Sequence, residues 1–392
     1  MKDNKSSKIN KARKNKNGKK VLFVIIFIIS CLVIGGTIGF LSDKYLNGFM
    51  DTYIKNDNIF VELINIYGLL LIFIFGYCIH IIIHEAGHLI AGLMTGYSFV
   101  SFRIGSFTLI KANEKLKRKK FNIPGTAGQC LMMPPAMVDG KYPFVIYNFG
   151  GVIANLITSI IGILIVIFVE GVPFPLNATL VLFGAAGIFA AVTNGIPLKV
   201  SGVANDGYNV ISMAKDGEAK NAFYVQLRVN GLQSLGARIK DMPLEMFKLS
   251  AGANLTNPLN TSIRLMEYSW YLDNMDFEGA RKSLGSFEYN LEKLVPLYRL
   301  EVNCERMFLE LIGNCDKDVI DKLYDKTLKK YMKAAKFMIG KKRVIMAYEA
   351  FYTKDRTKAL KCYKEGEELA KKYPVKGEAD MELMIMNWIK EK

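Results

Sequence analysis

His84-Glu85-Ala86-Gly87-His88 is the stretch of this 392-residue chain whose residue types and spacing could do chemistry. On a helix, residues four apart lie on one face one turn apart, so His84 and His88 aim two imidazoles at one point. Each can give a nitrogen to a zinc ion at about 2.0–2.1 Å. Glu85 follows the first histidine by one residue, close to such an ion without being forced to ligate it. There it can take a proton from a water acidified by the metal and pass it to a leaving amine. The chemistry this pattern points to is zinc-assisted hydrolysis of a peptide bond, with one zinc per chain as the implied cofactor. The one further histidine of the chain, His80, sits one turn before His84.

A catalytic zinc usually takes three protein ligands and keeps one position open. Three successive turns of one straight helix do not readily surround a tetrahedral ion. His80 is therefore expected to line the cavity behind the ligands, and the third ligand to be a carboxylate. Asp139, Glu170 and Asp206 lie beside apolar runs. Glu170 falls on the opposite side of the membrane in the topology given below. Asp139 and Asp206 both precede a glycine and lie on the correct side. Asp206 follows an apolar run through Asn194-Gly195-Ile196-Pro197, which can bring it against the motif helix.

The elements that must position these residues are apolar. The motif sits in a run from Phe60 to about Met94, long enough to cross a bilayer, which needs roughly 20 residues. Ionisable groups in such a run are costly unless paired, and for that reason usually functional. Val21–Leu41 is a first apolar run without a charge, longer than a signal-peptide core and without a cleavage site after it. Phe144–Val169 and Ala178–Pro197 complete four candidate spans. Residues 1–20 carry nine Lys and Arg against Asp3 and read as a disordered cytoplasmic tail. Four crossings leave both termini in the cytoplasm of a multi-pass cell-membrane protein, with the lipid bilayer itself as a partner.

Between the second and third runs, residues 97–143 change character. Ser98–Lys111 and Phe121–Met133 mix aromatic, β-branched and polar residues, as short strands do, around a basic tip at Lys115–Lys120. A β-hairpin or small sheet at the cytoplasmic face is expected. From about residue 215 to 392 the chain reads as soluble and helical. Asp276, Asp316 and Asp355 each precede apolar residues four and eight positions on, a repeat near forty residues. Tetratricopeptide-like helix pairs and a plain helical bundle fit it equally. Such a domain could bind a cytoplasmic protein partner or simply pack on the membrane part. The fold class is thus an α-helical polytopic membrane protein with a small β insertion and an all-α cytoplasmic domain.

Composition narrows the alternatives. The net charge is +16, but the excess is concentrated beside apolar runs and no nucleic-acid recognition motif accompanies it, so no nucleic acid is expected as a partner. The six cysteines show no Cys-x-x-Cys spacing, which excludes a disulfide framework and a cysteine zinc site.

The chain resembles the site-2 proteases, the intramembrane zinc metalloproteases. His84-Glu85-Ala86-Gly87-His88, Gly151-Val152-Ile153-Ala154-Asn155, and Asn194-Gly195-Ile196-Pro197 with Asp206-Gly207 stand in that family's motif order. The resemblance covers about residues 60–214 and leaves the tail outside it. It implies His84, His88 and Asp206 as zinc ligands and Glu85 as the catalytic base. It implies Asn155 as holding substrate or the oxyanion, with His80 and Asn194 behind the ligands. The substrates it implies are membrane-embedded proteins or peptides, cleaved in regulated intramembrane proteolysis or peptide-signal processing. Two rivals share the residues: a non-catalytic zinc-containing membrane protein whose tail binds partners, and a transporter or immunity-type protein with a histidine-lined proton path.

Overall fold

Three helices carry the apolar runs, and a computed structural model gives their bounds. It describes residues 54–392 apart from 113–114, 122–125, 174 and 201–202, together with Gly35, Gly36 and Asp51. The basic tail and the run at Val21–Leu41 lie outside the described residues. The three helices are α1 (Ile59–Met94), α2 (Phe144–Phe168) and α3 (Leu176–Gly195). Each is long and apolar enough to cross a membrane. At 36 residues α1 is about 54 Å long, well beyond the roughly 30 Å of a hydrocarbon core.

The chain divides into two units. One holds residues up to Tyr77 and Ser159–Ala186; the other holds Cys78–Thr158 and Gly187–Lys392. In the first, small residues set the helix contacts: Ala178 is buried among Leu69, Val166 and Val181. Helices in lipid have no hydrophobic drive between them and rely on close approach at small side chains.

The second unit contains the sheet. Four antiparallel strands, β1 (Ser98–Ile104), β2 (Phe107–Ala112), β3 (Lys115–Lys120) and β4 (Gly128–Met133), are ordered β3-β2-β1-β4. Of the expected β-hairpin or small sheet, the small sheet is present, and the basic tip is what is corrected. The basic stretch is not a tip but a strand, pairing from Phe107↔Lys120 to Ala112↔Lys115. The returning strand is shorter than expected and pairs with β1, not with its neighbour in sequence, through a bulge between Phe99 and Ser101. Lysines suit β3 because it is an edge strand exposed along most of its length, where charge also blocks unwanted pairing.

After a two-stranded ribbon, β5 (Lys199–Val200) with β6 (Val203–Ala204), the rest is helical. The sheet and the helical part are packed together. Tyr142 donates its hydroxyl to the Lys220 carbonyl at 2.9 Å, and Tyr224 accepts from the Met137 amide at 3.2 Å. At the other edge Lys119 on β3 donates to the Tyr373 carbonyl at 2.7 Å, and Phe121 packs edge-on against Tyr373. The forty-residue repeat has a local cause. Asp276, Asp316 and Asp355 are helix N-caps whose carboxylates accept from the first-turn amides. The residues four positions on, Ala280, Ile320 and Ala359, are buried because they face inward from the first turn.

A buried ionic cluster ties the helical part together. Arg343 is 1% exposed and lies between Glu305 at 2.7 Å and Glu382 at 2.6 Å, stacked over the Phe308 ring. Tyr268 donates to Glu305 at 2.6 Å, and Lys341 pairs with Glu301. Glu378 stands at the margin of this cluster and accepts from the Tyr373 hydroxyl at 3.0 Å. Burial, reinforced by the Glu382 charge, pushes the Glu378 carboxyl up to about 7 against that hydrogen bond. The folded chain thus keeps a proton that the unfolded chain releases near its ordinary value of 4.5. Stability should fall as pH rises between these two values and level off above them, by on the order of 2–3 kcal/mol. Melting of the full chain in detergent between about pH 5 and pH 8 tests this. Wild type should lose stability across that window and Glu378→Gln should lose little of it.

Candidate metal centre

The motif helix presents His80, His84 and His88 on one face, all buried, as the four-residue spacing requires. Asp206 comes from the start of α4 (Asp206–Lys215), 122 residues further along than His84. Three donor atoms converge. His84 Nε2 lies 3.0 Å from Asp206 Oδ2, His88 Nε2 lies 3.1 Å from His84 Nε2, and His88 Nε2 lies 3.5 Å from Asp206 Oδ2. Ligands held about 2.0–2.1 Å from one tetrahedral ion are about 3.3–3.4 Å apart. The donor triangle fits a zinc-sized ion, and its two nitrogens and one carboxylate oxygen are a donor set zinc accepts. Asp139 is not in this group. Burial alone would push the Asp206 carboxyl up, but its hydrogen bonds with His84 and His88 outweigh burial and hold it well below the usual carboxylate range.

Each candidate ligand is held from behind. The His88 ring turns Nδ1 to the Tyr147 carbonyl at 2.8 Å, which would fix the proton there and leave Nε2 free to ligate an ion. The His84 ring lies on Gly151, where any Cβ would come within 2.5–2.7 Å of the imidazole. Asn155 is fully buried beside it, its carboxamide 3.2 Å from His84 Nδ1 and 3.2 Å from His80 Nδ1. Asn194, expected behind the ligands, instead donates to the Ala190 carbonyl of its own helix at 2.9 Å.

Asp206 is placed by a residue that motif reading passes over. Asn205 caps α4 by accepting from the Tyr208 amide at 2.9 Å. The same oxygen accepts from the Leu198 amide at 3.0 Å, and its amino group donates to the Thr193 and Ile196 carbonyls at 2.7 and 2.6 Å. One side chain thus ties the end of α3 to the start of α4. Gly207 completes the fit: a Cβ there would run into the Gly195 carbonyl. The signal available in sequence was Asn before Asp-Gly at a helix start, an N-cap pattern.

Glu85 does not join the donor triangle; its carboxylate lies beside β4, within electrostatic reach of His84, His88 and Asp206. It accepts a hydrogen bond from the Cys130 amide. The Cys130 carbonyl accepts from the Tyr147 hydroxyl at 3.0 Å. Both bonds run from the edge of β4 that does not face β1. Gly128, next on that edge, admits no side chain, since a Cβ would meet the Glu85 carboxylate at 2.8 Å. Arg103 on β1, 3% exposed, donates to Thr126 Oγ1 at 2.7 Å and lies within electrostatic reach of Glu85. Tyr147, Cys130 and Arg103 carry no motif, and only the fold brings them to the site.

No protein-family model, curated protein or solved structure matches the chain.

Asp206→Ala should remove one donor of three and weaken zinc binding by at least about tenfold, while Asn194→Ala should leave it unchanged. Chelator competition on the full chain in detergent measures both.

Proposed function

We propose that the protein is an intramembrane zinc endopeptidase that cuts membrane-embedded proteins or peptides from a multi-pass position in the cell membrane. The observation that carries the reading is the meeting of His84 Nε2, His88 Nε2 and Asp206 Oδ2 at zinc-site spacing, with Glu85 on the same helix turn and not among them. A carboxylate kept beside a metal site without ligating it is the arrangement a general base needs. Three membrane-length helices among the described residues, with largely exposed apolar surfaces, support the membrane setting. With Val21–Leu41 as a further span, both termini lie in the cytoplasm.

His84, His88 and Asp206 would hold a zinc ion, which when bound would supply polarisation of a peptide carbonyl and acidification of water. The chain's own residues do the rest. Glu85 takes the proton from the attacking water and delivers it to the departing amine. The Cys130 amide holds the carboxylate in position. A transmembrane helix hides its carbonyls in its own hydrogen bonds and must unwind before attack. On the β4 edge beside Glu85 the Cys130 groups are already bonded to Glu85 and Tyr147, so the unwound segment would pair, main chain to main chain, at its Gly128 end. Cytoplasmic partner binding by residues 215–392 belongs to the same proposal.

Co-expression with candidate single-span substrates tests the reading. Glu85→Gln should abolish cleavage while zinc stays bound. Cleavage that persists in this variant, or a wild-type protein without zinc, overturns the reading. Gly128→Val, whose side chain would meet the Glu85 carboxylate, should lower cleavage by at least about tenfold, about 1.4 kcal/mol of barrier, with zinc content unchanged. Undiminished cleavage by that variant overturns the place beside Gly128 given to the base.

A further inference from the structure

We infer that Asn155 and His80 form a brace that fixes the ring orientation and the protonated nitrogen of His84, making both of them positioning residues of the metal site. The inference rests on the zinc reading above and goes beyond it, because it gives Asn155 a task other than holding substrate.

The donor triangle is built from the Nε2 atoms of both histidines. An imidazole that gives Nε2 to a metal carries its proton on Nδ1, and that N–H needs an acceptor. For His88 the acceptor is the Tyr147 carbonyl. For His84 the group at Nδ1 is the Asn155 carboxamide at 3.2 Å, from a residue with no exposed surface. A carboxamide is a donor at one end and an acceptor at the other, and which end faces which ring follows from the rings' protons. As placed, Asn155 sets Nδ2 3.2 Å from His84 Nδ1 and Oδ1 3.2 Å from His80 Nδ1. A half-turn of the carboxamide exchanges the two atoms, and ligation of an ion through His84 Nε2 calls for the turned form, with the oxygen at His84 Nδ1–H and the amino end at an unprotonated His80 Nδ1. His80 therefore selects the orientation of the amide, and the amide selects the tautomer of His84.

The packing leaves His84 little freedom to turn. Gly151 lies against one side of its ring, one turn before Asn155 on the same helix. Two further facts favour positioning over substrate contact. Both polar ends of Asn155 are already turned to imidazoles. All three members of the row, His80, Asn155 and His84, are buried. A buried N–H left without its acceptor is costly, so the brace penalises any His84 orientation that withdraws Nε2 from the ion.

The test uses the full chain in detergent, with zinc affinity from chelator competition and the visible spectrum of the cobalt-substituted protein. Asn155→Leu keeps the side-chain size and removes both polar ends. It should weaken zinc by about 10–100-fold and shift the cobalt bands. Asn155→Asp supplies an acceptor to His84 Nδ1 and should return affinity to within a few-fold of wild type, which a loss of packing alone would not do. His80→Phe should weaken zinc by a smaller factor and add nothing in the Asn155→Leu background, as expected for residues acting through one path. Wild-type affinity and an unshifted cobalt spectrum in Asn155→Leu overturn the brace while leaving the zinc site standing. An Asp variant as weak as the Leu variant also overturns it. A wild-type chain that binds neither zinc nor cobalt overturns the zinc reading and the brace with it.

Discussion

Backbone contact between two helices is the constraint from which the rest of the site follows. At Gly87 a Cβ would strike the Gly150 carbonyl, and at Gly150 one would strike Gly87 in return. Without side chains at either position, α1 and α2 approach until main chain touches main chain. That separation puts the His84 ring on Gly151 and lets the carboxamide of Asn155 reach two imidazoles of the neighbouring helix. It also brings the Tyr147 carbonyl within 2.8 Å of His88. A methyl group at the crossing would part the helices, and every one of these polar contacts would lengthen together. Small residues at a helix crossing are common in membrane proteins as a source of affinity. Here they set the geometry of polar groups one and two turns away.

The two faces of the motif helix have separate supports. The histidine face is held by α2 and by the start of α4. The Glu85 side is held by the sheet, through the Cys130 amide. Tyr147 serves both, since its carbonyl takes the His88 ring and its hydroxyl takes the Cys130 carbonyl. The sheet is in turn gripped at both edges by the helical part, near Tyr142 and near Lys119. A series of contacts therefore runs from the Arg343 cluster through Glu378 and Tyr373 to β3 and across the sheet to the strand beside Glu85. The helical tail is part of the scaffold of the candidate site, not a separate bead on a linker.

What could be read in the sequence was what depends on spacing. Four-residue intervals put three histidines on one helical face, and Asp206-Gly207 after an apolar run supplied the carboxylate that joins two of them, His84 and His88. The three membrane-length helices followed from hydropathy, and the aspartates before apolar pairs were legible as a repeat but not as N-caps. Pairing between strands was less legible. The lysines of β3 suggested a loop, because charge says exposed but does not distinguish a turn from an edge strand. Roles that arise from distant contacts were silent. Asn205 serves four backbone groups, yet in sequence it is one polar residue in a short loop. Arg343 would read as a surface residue on a basic helix until its two glutamates, 38 and 39 residues away, are seen to surround it.

The distance along the chain between His84 and Asp206 bears on the life of the molecule before it is finished. Synthesis at about 5–20 residues per second separates the two ligands by roughly 6–24 s. During that interval the histidine helix exists with two candidate donors instead of three, and the residues of the strand beside Glu85 have already been synthesised. The segment that delivers Asp206 arrives only after α2 and α3 have been made. A nascent chain therefore carries the proposed base before it carries a complete candidate ion site, and the order of the gene itself puts completion of the triad after synthesis of the surrounding helices.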